Sequence, residues 1–151
     1  MTDRFAWLLP ASAVVAGFVL AVQPAANGAL AKRCGHPLQA SVISFGTGFL
    51  AVLLIAGILR IGWPTWSRFA GLPWWAWTGG LMGVYVVTSS LYTAPRIGSA
   101  NWIALVIAGQ IALSLLLDHF GWMGFAHHPL SWQRILGAVA LAVGVALVLK
   151  S

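Results

Sequence analysis

The chain has 151 residues, of which 60% are apolar and only 7% charged. An ordinary soluble domain is nearer a quarter charged, so eight basic and two acidic side chains cannot cover a water-facing surface of this size. Most of the surface must therefore face lipid. The net charge of +6 would suggest nucleic acid in a soluble protein. Here the basic residues stand singly between apolar stretches, whereas a nucleic-acid surface clusters them, so no nucleic-acid partner is expected. One cysteine, Cys34, leaves no intrachain disulfide to form. A cleavable leader is not expected either: the first apolar stretch is too long, and Gln23-Pro24 interrupts it before a convincing cleavage site.

About 20 apolar residues cross a bilayer, and five such stretches follow in order. The first is expected over Phe5–Ala31, ended by polar Lys32 to His36 with Gly35 as the break. Pro37 suits the first turn of the next helix, expected over Leu38–Leu59. A connector holding Trp63, Trp66 and Arg68 then leads to a third span over Pro73–Thr93. Its tryptophans suit the headgroup zone. Ala94 to Gly98 should reverse the chain into a fourth span over Ser99–Leu117, ended by Asp118 and His119. A second connector with Trp122, His127 and His128 precedes a fifth span over Trp132–Leu149. Helices are the expected form, because backbone in lipid must satisfy its own hydrogen bonds. The period-2 alternation of a membrane barrel is absent. The chain reads as a single all-α membrane domain of five antiparallel-packed transmembrane helices.

Small residues mark packing faces. Ala100, Ala104, Ala108 and Ala112 recur every four residues in the fourth span, and Gly79, Gly80 and Gly83 cluster in the third. Gly137, Ala140 and Gly144 form a similar ridge in the fifth, which fits either the bundle itself or a second subunit. Five spans put Arg4, Arg60, Arg68 and Arg134 on one side, and Lys32, Arg33, Arg96 and Lys150 on the other. Orientation follows the Lys/Arg bias of short loops, and this balance gives almost none. The balance fits one orientation set by weak local differences or, as expected here, insertion in both orientations and an antiparallel homodimer related by a two-fold axis in the membrane plane.

No ionisable residue lies deep in a span. Uncharged polar residues do line up. Gln23 and Asn27 share a face of the first helix, with Pro24 between them removing a backbone donor. Tyr85, Ser89 and Tyr92 share a face of the third, and Gln110, Ser114 and Asp118 form a stripe on the fourth. These residues could set bundle register through interhelical hydrogen bonds or line a polar site near the midplane. A solute site of Gln23, Asn27, Tyr85, Ser89, Gln110 and Ser114, walled by Trp102, would suit a small organic solute of amphipathic or cationic character. Asp118 is a candidate coupling group near the membrane surface, or a helix-end residue paired with a basic neighbour. His119, His127 and His128 match no zinc spacing. No metal, cofactor or catalytic constellation is expected.

Several of these elements resemble a known family. GFVLAVQPAANGAL from Gly17 to Leu30, Gly35-His36-Pro37, Ser44-Phe45-Gly46-Thr47-Gly48, Pro95-Arg96-Ile97-Gly98, Gly109-Gln110 and Asp118-His119-Phe120-Gly121 are similar, in that order, to the YdcZ-type family of small bacterial inner-membrane proteins. The resemblance covers nearly the whole chain. It implies the drug/metabolite transporter superfamily, a half-size unit of five helices, antiparallel pairing, an exporter's activity and a place in the bacterial inner membrane. The small multidrug resistance proteins of that superfamily carry a membrane-embedded Glu in their first helix. Here Gln23 occupies roughly that region. The expected function is small-solute export by alternating access. A dimeric channel or a non-transporting membrane subunit is the alternative. Single cysteines placed at each terminus, with Cys34 replaced, test the orientation: both ends should be labelled from outside intact cells. Labelling of each terminus from one side only would exclude dual insertion.

Overall fold

The computed structural model describes residues 7–150. Five α-helices follow in chain order among the described residues: α1 Leu8–Cys34, α2 Pro37–Ile58, α3 Gly79–Ile97, α4 Ser99–Phe120 and α5 Trp132–Lys150. Short 3-10 turns at Trp66–Phe69, Trp74–Trp77 and Trp122–Gly124 sit in the connectors. The expected start of the first span, at Phe5, lies outside the described residues, as do Asp3 and Arg4.

Four helices, α1, α2, α4 and α5, are long and apolar enough to cross a membrane. Their apolar side chains are exposed: no residue of α5 is buried, and Val14, Phe18 and Val22 stand outward from α1. In water such helices could not stay apart, whereas lipid solvates them. The third helix has 19 residues, as α5 does, and carries Tyr85, Thr88, Ser89, Ser90, Tyr92 and Arg96. Of the five expected spans, four are thus long and apolar enough to cross a membrane, and α3 is less apolar.

Two boundaries differ from the sequence expectation. The third helix begins at Gly79 rather than Pro73, because Pro73 is extended and opens a separate 3-10 turn. It also continues to Ile97, past the turn expected from Ala94. A proline's fixed φ is helical, so Pro95 near the C-terminal end removes one donor without turning the chain. Gly98, between α3 and α4, has φ 90° and ψ 145°, a region essentially reserved for glycine. Asn101 Nδ2 donates to the Ile97 carbonyl at 2.7 Å and satisfies one of α3's terminal acceptors.

The chain forms two compact units, divided after Tyr92. In the first, α1 packs along α2 across a two-residue connection. Gly35, at φ 86°, closes α1 by donating its N–H to the Ala31 carbonyl at 2.9 Å. His36 then caps α2: its Nδ1 accepts from the Leu38 N–H at 3.1 Å, with Pro37 at the first helical position. Ala40, Val87 and Leu91 form the core, with Leu30, Ala31 and Phe45 packed against it. The Phe45 ring lies 3.4 Å from where a Cβ at Gly83 would stand, an ordinary van der Waals distance, so α2 and α3 touch there. Gly79 and Gly80 meet nothing within 4 Å of such a Cβ.

In the second unit, α5 packs along α4. Arg134, Ala138, Leu141 and Val145 of α5 are half-buried at spacings of four, three and four, the stripe expected of a helix lying on a neighbour. Gly137, Ala140 and Gly144 are exposed on another side. The connector is pinned at one end. Gly121, at φ 63°, ends α4 by donating to the Leu117 carbonyl. The Asp118 carbonyl accepts from the His128 N–H at 2.8 Å, and His119 Nδ1 accepts from the Leu130 N–H at 3.2 Å. Arg134 Nη1 donates to Asp118 Oδ2 at 3.1 Å and to the His128 carbonyl at 3.3 Å. Both ion-pair side chains keep about a third of their surface exposed, 36% and 30%, so the pair contributes at most about 1 kcal/mol. Asp118→Asn should therefore lower thermal stability in detergent by about 0.5–1 kcal/mol. The loss should shrink in high salt, and a larger, salt-insensitive loss would contradict this account.

Candidate functional site

The first unit holds a pocket of about 350 Å³ lined by Gln23 from α1, by Ser44, Phe45, Gly48, Phe49 and Val52 from α2, and by Val87 from α3. Gln23 lies two residues from the centre of α1, which is about 3 Å along the axis. Gly48 and Val87 are within a residue of the centres of α2 and α3. The pocket therefore sits at mid-height on all three helices. Its wall is mostly apolar, and its polar groups are the Gln23 amide and the Ser44 hydroxyl. Small-molecule sites share this kind of lining, apolar with few polar groups. Gly48 has no side chain to fill the space, and the Phe45 and Phe49 rings flank it at four-residue spacing.

Asn27 stands one turn beyond Gln23. It is only 6% exposed, on the α1 face that also carries Leu30 and Ala31 toward the core. Its Nδ2 is buried without a hydrogen-bond partner. Pro24, buried between the two amides, leaves the Leu20 carbonyl without its usual donor. A buried, unpaired amide donor costs about 1–3 kcal/mol. The other buried polar groups of this unit are satisfied. Ser41 Oγ and Thr88 Oγ1 share a hydrogen bond at 3.0 Å between α2 and α3. Ser90 donates to the Val87 carbonyl at 2.7 Å.

The remaining candidates lie elsewhere. Tyr85 is 75% exposed, since it points away from the face on which Val87 lines the pocket. Ser89 is half-buried and donates to the Val86 carbonyl at 3.0 Å. In the second unit Trp102 is buried, while Gln110 and Ser114 are exposed on α4. Asp118 is held by Arg134. His119 and His127 have ring centroids 6.4 Å apart, and no group of three metal-ligating side chains occurs among the described residues. Sequence reasoning overlooked Ser44 and the Ser41–Thr88 bond. The spacing of Ser41, Ser44, Phe45 and Gly48 on one face of α2 was the available signal.

Asn27→Leu should raise the melting temperature in detergent, by removing an unpaired donor while keeping the branched heavy-atom skeleton, with a gain of about 1 kcal/mol. A clear loss of stability would show that the amide is paired in the folded protein.

A family model described as "Putative inner membrane exporter, YdcZ" matches residues 8–147. The chain is similar to "Inner membrane protein YdcZ" of Escherichia coli (strain K12), with 35% identity over 77 residues. That match covers 51% of this chain and 51% of the relative, so about half the length of each is aligned. No solved structure matches the chain. With a family match that runs from the first turn of α1 nearly to the end of α5, the chain belongs to the YdcZ family of inner-membrane proteins.

Proposed function

We propose that the chain is one half of an exporter that moves a small organic solute across the inner membrane by alternating access. The observation that carries this reading is the pocket at mid-height of α1, α2 and α3, with the Gln23 amide and Ser44 hydroxyl on an apolar wall. Transporters place their solute sites near the bilayer midplane, where irregular or broken helices expose polar groups. Pro24 removes a backbone donor beside Gln23 within the continuous α1, and the Asn27 amide is unpaired one turn beyond. The family description, an inner membrane exporter, supports the same reading.

In this proposal α3 is the fifth membrane-crossing helix, and the working unit is an antiparallel homodimer. The even distribution of Lys and Arg between the two ends supports insertion both ways. The exposed ridge of Gly137, Ala140 and Gly144 offers α5 a smooth face for the second copy. Tyr85 and Ser89 of the first unit, and Trp102, Gln110 and Ser114 of the second, are further candidate solute contacts outside this pocket. The solute is amphipathic or cationic, with an apolar body for Phe45 and Phe49 and a polar group for Gln23. Asp118, paired with Arg134, is the one acidic side chain among the described residues and the candidate for coupling.

A thermal-shift screen of the purified protein against small metabolites and drugs tests the site. A compound present at a hundred times its dissociation constant stabilises the folded state by about 2.7 kcal/mol. Compounds that raise the melting temperature of the wild type should fail to do so for Gln23→Leu. Saturable counterflow of such a compound in proteoliposomes is the expected activity. Binding that survives Gln23→Leu would remove this pocket from the solute path, and fast ion current without saturation would replace the exporter with a channel.

A further inference from the structure

The connector between α2 and α3 is built unlike a simple turn. It spans residues 59–78, whereas typical connections run about 4–6 residues. It holds five of the chain's nine tryptophans: Trp63, Trp66, Trp74, Trp75 and Trp77. Trp63, Trp66 and Trp74 are between 78% and 86% exposed. The segment is nevertheless ordered against itself. Phe69 packs on Trp66 at 5.7 Å and on Trp77 at 5.5 Å between ring centroids, which ties the two 3-10 turns together. Arg68 lies in the first of these turns. The result is an aromatic platform at the end of α2.

The chain enters this platform through a strained residue. The Ile61 N–H donates to the Ala56 carbonyl at 2.9 Å and the Arg60 N–H to the Gly57 carbonyl at 3.1 Å. This pair of bonds is a Schellman motif, in which the residue at the Arg60 position adopts left-handed backbone and is usually glycine. Arg60 takes that conformation, at φ 52°. A side chain held where glycine is less strained suggests that the side chain itself is used. The segment 59–78 contains two arginines and no acidic residue. The one acidic side chain among the described residues, Asp118, is engaged by Arg134. Arg60 and Arg68 therefore have no carboxylate to neutralise them among the described residues.

Positive charge without an acidic partner, set among exposed indoles, is complementary to one surface in particular. Indole rings settle at the headgroup level of a bilayer. Guanidinium groups pair with phosphate through two parallel hydrogen bonds, and basic residues beside a membrane concentrate anionic lipid. We propose that the α2–α3 connector is an interfacial platform that binds the headgroups of anionic phospholipids. Arg60 and Arg68 take the phosphates, and the exposed tryptophans seat the platform among the headgroups. The binding fixes the connector at the bilayer surface and gives α3, the least apolar helix, a lipid-anchored start.

The full chain reconstituted in phosphatidylcholine vesicles containing a minority of phosphatidylglycerol tests the proposal. Tryptophan fluorescence is quenched by bromine on the acyl chains of one lipid or the other, at equal mole fraction. Brominated phosphatidylglycerol should quench the wild type more than brominated phosphatidylcholine, and the difference should fade in 1 M salt. Arg60→Gly supplies the residue the turn favours and so keeps the fold, while Arg60→Lys keeps the charge. Arg60→Gly should lose about fivefold in phosphatidylglycerol enrichment, Arg60→Lys should retain it, and Arg60→Gly combined with Arg68→Gln should abolish it. Equal quenching of the wild type by the two lipids would overturn the proposal and leave the platform to a protein partner. A preference that survives the double substitution would overturn it equally.

Discussion

A bilayer offers no hydrogen bonds to the backbone that crosses it, so every polar group inside must find a partner within the protein. Much of this chain's local structure follows from that constraint. Hydroxyls in or beside the helices turn back on their own backbone: Ser12 to Leu9, Thr47 to Ser44, Ser89 to Val86 and Ser90 to Val87. Helix ends are closed by glycines in left-handed backbone, at Gly35 and Gly121. Two histidines do related work. His36 Nδ1 caps the start of α2, and His119 Nδ1 accepts the Leu130 N–H ahead of α5. Both bonds require an unprotonated Nδ1, so the neutral ring is the form that holds these connectors.

Against that background of satisfied groups, the exceptions stand out. Asn27 Nδ2 is buried and unpaired, and Gln23 faces a pocket one turn away. Pro24 removes a backbone donor between them. The irregularity is concentrated on one stretch of α1, at mid-height, while the surrounding helices are regular. Natural folds relax local rules mainly where function requires it, and this stretch is where the proposed solute site lies. The α2–α3 connector breaks a different rule, with a strained arginine at a glycine position and exposed aromatic rings. One exception is midway along a long apolar helix and the other in a connector.

Much of the helix layout was legible in the sequence because apolar length is written residue by residue. The boundaries of α1, α2, α4 and α5 fall within three residues of their expected places over the described residues. The starts at Pro37, Ser99 and Trp132 carried clear punctuation. The third helix was misjudged at both ends because Pro73 and Pro95 read alike as punctuation. One opens a 3-10 turn, and the other is absorbed near a helix end where a missing donor matters little. The polar stripes were legible as faces of single helices. Their partners were not, because the rotation of a helix about its axis depends on which neighbour it packs against.

By itself the sequence determined the solvent and most of the helix layout. These depend on composition and on short-range order along the chain. Tertiary structure decided which polar residues meet. It set Gln23 beside Ser44 and Val87, joined Ser41 to Thr88, and engaged Asp118 with Arg134. It also turned Tyr85 outward, although Tyr85 shares a helix with Val87. The physical reason is that side chains two positions apart on a helix point to nearly opposite sides. The packing of α3 against α2, through the Ser41–Thr88 bond and the Phe45 ring beside Gly83, fixes which side faces in.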